Sequence, residues 1–290
     1  MSLTSVRLTL GDVEVSLFDA ADRFRRDLIL QKMTFGSPAV RESVTPRTDA
    51  DGVHDVTARH GARSVAIELK VFDTPAALVD QLNRLLHPRS RPHLVVDDDE
   101  WSGGPRRMML RSDQWTSPLE LTSDYVRDVA LTWTAPSGVW EAASPTEVTV
   151  IATAEAQSGV RFPIKFPLVF SGTTGTGQTI VVNPGTSWSD QVVRLYGPCV
   201  GPRWHNDTTG EVLAFTDALV IPAGEYVELN TRDRTAYYLS DPNADRLGLL
   251  DFESSTWWQI PPGESTLRYA PISGVDAGCV AALSFRPAHL

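Results

Sequence analysis

Lysine, cysteine and long apolar runs are all scarce in this chain of 290 residues, and each shortage excludes something. Only 3 of the 26 basic residues are lysine and the other 23 are arginine, a bias that reads as GC-rich coding in a high-GC host more than as chemistry. Acidic residues outnumber basic ones 36 to 26, for a net charge of −10. A surface built to grip nucleic-acid phosphates needs the opposite sign. No run is apolar and long enough to span a membrane as a helix. The opening MSLTSVRLTLG lacks the apolar h-region of a secretory signal. The expectation is a soluble chain made in a cytosol, with no membrane partner. The two cysteines, Cys199 and Cys279, are far apart and form no C-x-x-C pair. Two buried thiols are the reading for a cytosolic product, with a disulfide left open.

The motifs of common chemistries are missing too. Ser171–Thr179 (SGTTGTGQT) is glycine-rich but lacks the Gly-Lys-Ser/Thr end of a phosphate loop and precedes a strand rather than a helix, so it reads as a hairpin tip. The six histidines are His54, His60, His87, His93, His205 and His289, and none has the i, i+4 spacing with a glutamate that a zinc helix uses. There is no Gly-x-Ser-x-Gly elbow, and Ser90, Ser102 and Ser254 sit in turns with no suggestive acid and base nearby. Asp97–Glu100 lacks the alternation and central glycine of an EF-hand loop and reads as a solvated turn. A glycosidase needs two opposed carboxylates, which cannot be located by sequence among 36 acidic residues. No catalytic residue, cofactor or metal is expected.

What remains is pattern. Hydrophobic residues make up 42% of the chain, enough for a globular protein, and its length suggests two domains. Val6–Leu10 and Val13–Leu17 alternate around Gly11-Asp12, which predicts a hairpin. Ser64–Phe72 alternates Val65, Ile67, Leu69 and Val71 against polar neighbours, a half-buried strand. One helix follows. Thr74 can cap it, Pro75 suits its first position, and Leu78, Val79, Leu82, Leu85 and Leu86 form one stripe that ends before Pro88. Trp133 closes another alternating run with Val129 and Leu131. The pattern stops over Ala135–Thr146, where Pro, Gly and Ser concentrate, and the domain break is placed at 140/141. Beyond it lie only short strand candidates, among them Leu168–Phe170 and Val212–Leu219, separated by Gly and Pro turns. The expected fold is mainly β. Residues 1–140 form an α+β domain with one helix, with Leu78, Leu82, Leu85 and Trp133 in its core. Residues 141–290 form an antiparallel β-sandwich.

Two aromatic clusters invite a functional reading. Arg203-Trp204-His205-Asn206-Asp207 could present an indole face and polar donors to a sugar; alternatively it is a strand end with Trp204 in the core and Asn206-Asp207 opening a turn. In SSTWWQIPPGESTLRYAP (Ser254–Pro271), neighbouring residues of a strand face opposite ways. Trp258 and Ile260 would then share the buried face and Trp257 would point outward, at the rim of the sandwich or in a contact.

The order of these segments resembles the siphophage distal tail protein family over nearly the whole chain. In the first half the similarity runs through FGSPAVRESVTPRTDADGVHDVTARHGARSVAIELKVFDTPAALVDQLNRLL, with a Gly-Ser-Pro turn, an x-Asp-Gly loop and a strand leading into a helix. In the second it runs through FPLVF, VVNPGTSWSDQVVRLYGPCVGPRWHNDTTGEVLAF, IPAGEYVELNTRDRTAY and STWWQIPPGESTLRY. Ile260 stands where Leu is common in the family and Asn230 where Asp is common. The resemblance implies a galectin-like sandwich in the second half, in architecture only. It also implies a non-enzymatic virion protein, assembled in the host cytoplasm, whose first domain closes a homohexameric ring at the end of the tail tube. The second domain would contact the tip, hub or baseplate, and DNA would pass transiently through the channel. The alternative is a carbohydrate-binding module attaching the particle to host cell-wall glycan, with Trp257, Arg203, His205 and Asn206 as contacts. An enzyme, a glycosidase, ranks third.

Overall fold

The computed structural model describes residues 3–22, 27–41, 45–46, 51, 53–54, 59–72, 76–112, 119–121, 126–153 and 177–290. The fold is mainly β, and the chain divides into two compact units. One comprises Met1–Ser144 together with His289–Leu290, the other Pro145–Ala288. The break therefore lies four residues after the 140/141 position read from composition. The strand Trp140–Ala142 is the cause. It pairs with Arg106–Met109 through Arg106↔Ala142 and Arg107↔Glu141, and the half-buried Arg107–Glu141 ion pair (3.2 Å) fastens it to the first unit.

In the first unit the chain runs through β1 (Leu3–Leu10), β2 (Val13–Asp19), β3 (Leu28–Phe35), β4 (Arg63–Phe72), α1 (Ala76–Leu86), β5 (His93–Asp98), β6 (Arg106–Met109), β7 (Val126–Ala135) and β8 (Trp140–Ala142). A six-stranded antiparallel sheet has the order β2-β1-β5-β6-β8 and ends on the strand Ala288–His289. The β1–β2 turn is two residues long, and Gly11 takes the positive φ (60°) that such a turn requires. A five-stranded sheet orders Arg111–Ser112, β7, β4 and β3, with Leu119–Leu121 also paired to β7. Between β3 and β4, Val40–Arg41 pairs with Arg59–His60 and Thr45–Pro46 with Val53–His54.

Alternation explains which faces meet. In β4, Val65, Ile67, Leu69 and Val71 are buried while Ser64 and Glu68 are exposed. They join Val129, Leu131 and Trp133 of β7, Val6 and Leu8 of β1 and Leu94 and Val96 of β5 in one apolar cluster. Helix α1 packs on β1 and β2 with Leu78, Leu82, Leu85 and Leu86 in that cluster and Val79 half-buried. It stops at Leu86 because His87 precedes Pro88 and is steered from helical geometry. The proposed cap, Thr74-Pro75, lies outside the described residues. The acidic run closes a turn: Asp98 accepts the Glu100 N–H through Oδ1 (3.0 Å), and the Thr4 hydroxyl donates to Asp99 (2.9 Å).

The second unit contains β9 (Thr146–Ile151), β10 (Gln178–Asn183), β11 (Gln191–Tyr196), β12 (Arg203–Asn206), β13 (Glu211–Ala214), β14 (Tyr226–Asn230), β15 (Thr235–Tyr238), β16 (Gly263–Tyr269) and β17 (Val280–Phe285). A five-stranded sheet, β9-β17-β11-β14-β15, and a four-stranded sheet, β10-β16-β12-β13, are both antiparallel. Their inward residues, including Val193, Leu195, Trp204, Leu229, Leu267 and Leu283, form one core, so the unit is a β-sandwich. The candidate strand Val212–Leu219 is cut at Ala214, where a turn closed by the Leu219 N–H on the Thr216 carbonyl (3.2 Å) begins the next connection. The candidate Leu168–Phe170 and most of Ser171–Thr179 lie outside the described residues.

Leu85 is fully buried beneath α1. Leu85→Ala should lower the stability of the first unit by ~2–5 kcal/mol, read as an earlier transition in denaturant unfolding of the full chain, while the transition of the second unit stays in place.

Candidate functional site

Strand alternation splits the Arg203–Asp207 cluster between two faces. On β12, Arg203 and His205 project outward and are half-buried, whereas Trp204 and Asn206 point into the sandwich. The register places His205 beside Arg268 of β16, and Arg268 beside Gln178 of β10. Just past β12, Asp207 closes this row. Arg268 grips it with two parallel contacts, Nε to Oδ2 at 2.9 Å and Nη2 to Oδ1 at 3.0 Å, and Gln178 Nε2 donates to Oδ2 at 2.9 Å. The Arg268 hydrogen bond, helped by Gln178 and by Arg268 and His205 charge, holds the Asp207 carboxyl below its ordinary range against some burial. A carboxylate so saturated is an acceptor locked in its ionised form and a poor proton donor. Among the described residues, no group of three or more His, Cys, Asp or Glu is placed to hold a metal ion.

The inward side is structural. Asn206 is 0% exposed, and its Oδ1 accepts the N–H groups of Thr208 (3.0 Å) and Thr209 (3.2 Å). It builds the turn that follows β12 and is out of reach of any glycan, which corrects its reading as a contact. Trp204 Nε1 donates to Gln191 Oε1 (3.1 Å), and its ring stacks on Trp258 at 6.2 Å between centroids and 19° between planes.

The Trp257-Trp258 segment is irregular rather than a strand. It follows the edge strand β13, with the Asp251 N–H on the Ala214 carbonyl (2.8 Å) and the Thr256 N–H on the Val212 carbonyl (2.8 Å). Trp258 is 2% exposed and Ile260 is fully buried. Between them Gln259 is exposed and reaches Asp190 (2.6 Å). Trp257 is half-buried and packs on the sandwich core, so it is not the outward ring that alternation implied. The argument from faces assumed a regular strand, and this segment is tied to its neighbour only at alternate points.

Among the described residues the exposed aromatics are elsewhere, at Trp188 (50%) and Phe252 (62%). Trp188 had a sequence signal that went unused. Ser187 and Ser189 on either side are buried and bridge to Ala288 and Ile260, so a period of two runs through this turn. Apolar side chains are also exposed on terminal strands of the sheets: Ile29 on β3, Ile151 on β9, and Ile180 and Val182 on β10. A terminal strand offers unpaired backbone groups to another chain, and exposed apolar residues there favour association over solvation.

No protein-family model matches the chain, and no curated protein does. Solved structures share its fold. The Dit protein of phage SPP1, described as a paradigm of the hub adsorption apparatus in phages infecting Gram-positive bacteria, aligns with a TM-score of 0.59 and 14% identity over 98% of this chain and 99% of its own. A chain of the phage p2 baseplate in its activated conformation with Sr aligns with a TM-score of 0.53 and 10% identity, over 97% of each chain. The same baseplate with Ca gives 0.51 and 10%, over 99% of this chain and 98% of that one.

Trp258→Ala should destabilise the second unit by ~3–5 kcal/mol, and Trp257→Ala by less than half of that, both read from denaturant unfolding. Asp207 sets a pH dependence of known sign. Its folded pKa is depressed, so its contribution is fully present above the ordinary carboxyl value of about 4 and is lost as pH falls through the lowered folded value. Asp207→Asn should therefore flatten the fall of melting temperature below about pH 4 relative to the unmodified chain.

Proposed function

We propose that this chain is a structural phage tail protein of the siphophage distal tail family, a ring that joins the tail tube to the tip or baseplate hub. The observation that carries this reading is the extent of the fold likeness to SPP1 Dit. It runs through both units in order and nearly end to end in both chains. A lone sandwich would match many unrelated proteins, whereas an α+β unit followed by a sandwich, with matching length, is a far narrower coincidence.

In this reading the first unit forms a homohexameric ring around a channel. The terminal strands β2 and β3 supply edges that a neighbouring copy can pair, and ring closure removes such edges from solvent. The second unit contacts the hub or baseplate proteins through its exposed turns, Trp188 and Phe252 among them. The net charge of −10 suits a conduit that DNA crosses without adhering. The protein is a virion component, assembled in the host cytoplasm, and it carries no reaction. The carbohydrate-binding alternative is weakened by the burial of Asn206 and the partial burial of Trp257.

Cryo-electron microscopy of the particle should find six copies of this chain in one closed ring at the tube terminus. A single copy or a trimer there would overturn the reading. Ile29→Lys on the β3 edge should impair ring closure in the particle while leaving the melting temperature of the isolated chain within about 2 °C, because the side chain is already half exposed.

A further inference from the structure

Both thiols of the chain lie in one place, inside the second unit. Cys199 opens the short strand Cys199–Val200, which pairs with Val220–Ile221. Cys279 comes just before β17, and its carbonyl accepts the Ala152 N–H (3.0 Å). The two chain segments run side by side: the Val200 N–H donates to the Ser273 carbonyl (2.9 Å), and a Cβ placed on Gly278 would meet the Gly197 carbonyl oxygen at 3.6 Å and Pro198 Cδ at 3.7 Å. The side chains then form a chain of hydrogen bonds. Cys279 lies close enough to Cys199 to act on its thiol, Cys199 Sγ lies 3.2 Å from the Tyr269 hydroxyl, and that hydroxyl donates to the Tyr196 carbonyl at 3.1 Å. Tyr269 has one proton, and it is used on Tyr196. Cys199 therefore donates to Tyr269. Both cysteines are buried, at 2% and 0% exposure, and both are free thiols.

We propose that Cys199 and Cys279 are a disulfide-forming pair that closes when the protein meets a peroxide. The Cys199 sulfur, as thiolate, attacks one peroxide oxygen and the O–O bond breaks. Cys199 becomes a sulfenic acid, and the departing hydroxide takes the proton that Cys199 lost, giving water. The Cys279 sulfur then attacks the Cys199 sulfur. Its proton leaves with the displaced hydroxide as a second water, and the S–S bond forms. Two thiols and one hydrogen peroxide give one disulfide and two waters, with the thiols oxidised and the peroxide reduced.

Several features favour this outcome. Cys199 is the less enclosed of the two sulfurs, at 2% against 0% exposure, and the neighbouring Cys279 holds its thiol below the ordinary value while Cys279 itself is pushed up, so Cys199 is the attacking sulfur. Oxidation removes both S–H donors and leaves the Tyr269–Tyr196 bond intact, so no buried donor is orphaned. Hydrogen peroxide is close to water in size, while a bulky disulfide such as oxidised glutathione has no room beside thiols this enclosed. The product would tie the start of the 199–279 stretch to its end, and a cross-link over so long a loop restricts the unfolded chain strongly.

The test uses the full-length protein, reduced, then treated with hydrogen peroxide, quenched, unfolded and exposed to N-ethylmaleimide. We expect a mass about 2 Da lower with no maleimide on either cysteine, a cross-linked Cys199–Cys279 peptide after digestion, and a raised melting temperature that dithiothreitol reverses. Maleimide on both residues, sulfinic acid (about 32 Da heavier) at either one, or cross-links only between chains would overturn the proposal. Cys279→Ala separates the pair from methionine oxidation: it should lose the stabilisation by peroxide, and retaining it would overturn the proposal. Should that variant not fold, the cross-linked peptide from the unmodified chain decides alone.

Discussion

The carboxamide of Gln191 is buried at the first position of β11, in the five-stranded sheet, and it reaches across the sandwich. Its oxygen accepts the indole N–H of Trp204 on the four-stranded sheet (3.1 Å), and its nitrogen donates to the carbonyl of Trp258 (3.4 Å). Its own main chain is fixed by Thr231, whose N–H reaches the Gln191 carbonyl (3.0 Å) and whose hydroxyl accepts the Gln191 N–H (2.9 Å). One side chain thus sets the register of the two sheets and the path of the irregular tryptophan segment. Hydrophobic burial alone would hold the sheets together without fixing how they slide, since it has no direction. Directional bonds between buried groups supply that, because each mismatch leaves a polar group unpaired at a cost of roughly 1–3 kcal/mol.

The same seam continues through Asn183 and Ser189. Asn183 Nδ2 donates to the carbonyls of Ser187 and Ile260, both at 3.1 Å, and Ser189 Oγ accepts the Ala288 N–H at 3.0 Å. A side chain at Gly185 would collide with the Ala288 carbonyl, so the turn there is packed against main chain. Trp188 projects from the middle of this network. Its ring is half exposed, yet its backbone is held on both sides by Ser187 and Ser189. An aromatic presented from a fixed backbone loses little conformational freedom when it docks.

The parts legible in the sequence were those governed by neighbours along the chain. The alternation over Ser64–Phe72 describes the buried and exposed faces of β4 residue by residue, and the leucine stripe describes the buried face of α1. The plainer reading of Arg203–Asp207, with Trp204 in the core and Asn206 opening a turn, agrees with the structure because both follow from local geometry. Trp258 and Ile260 share the buried face as alternation implies, while the partial burial of Trp257 is set by the core it lies against, which periodicity does not record. The domain break was placed early because Trp140–Ala142 is held by pairing with a strand some thirty residues back. The adjacency of the two thiols was beyond reach in the same way: only the sheet topology brings residues 199 and 279 together. The bidentate grip of Arg268 on Asp207 likewise needs the β12–β16 register.

The return of His289–Leu290 to the first unit has a consequence for synthesis. Chains are made at roughly 5–20 residues per second, and the whole sandwich, Pro145–Ala288, is translated between β8 and the residues that extend the sheet beyond it. For something on the order of ten seconds, β8 is the bare margin of a nearly finished sheet. Until residues 288–289 arrive, the outer backbone groups of β8 have no strand to pair with, so that side of the sheet is closed only after the whole sandwich has been made.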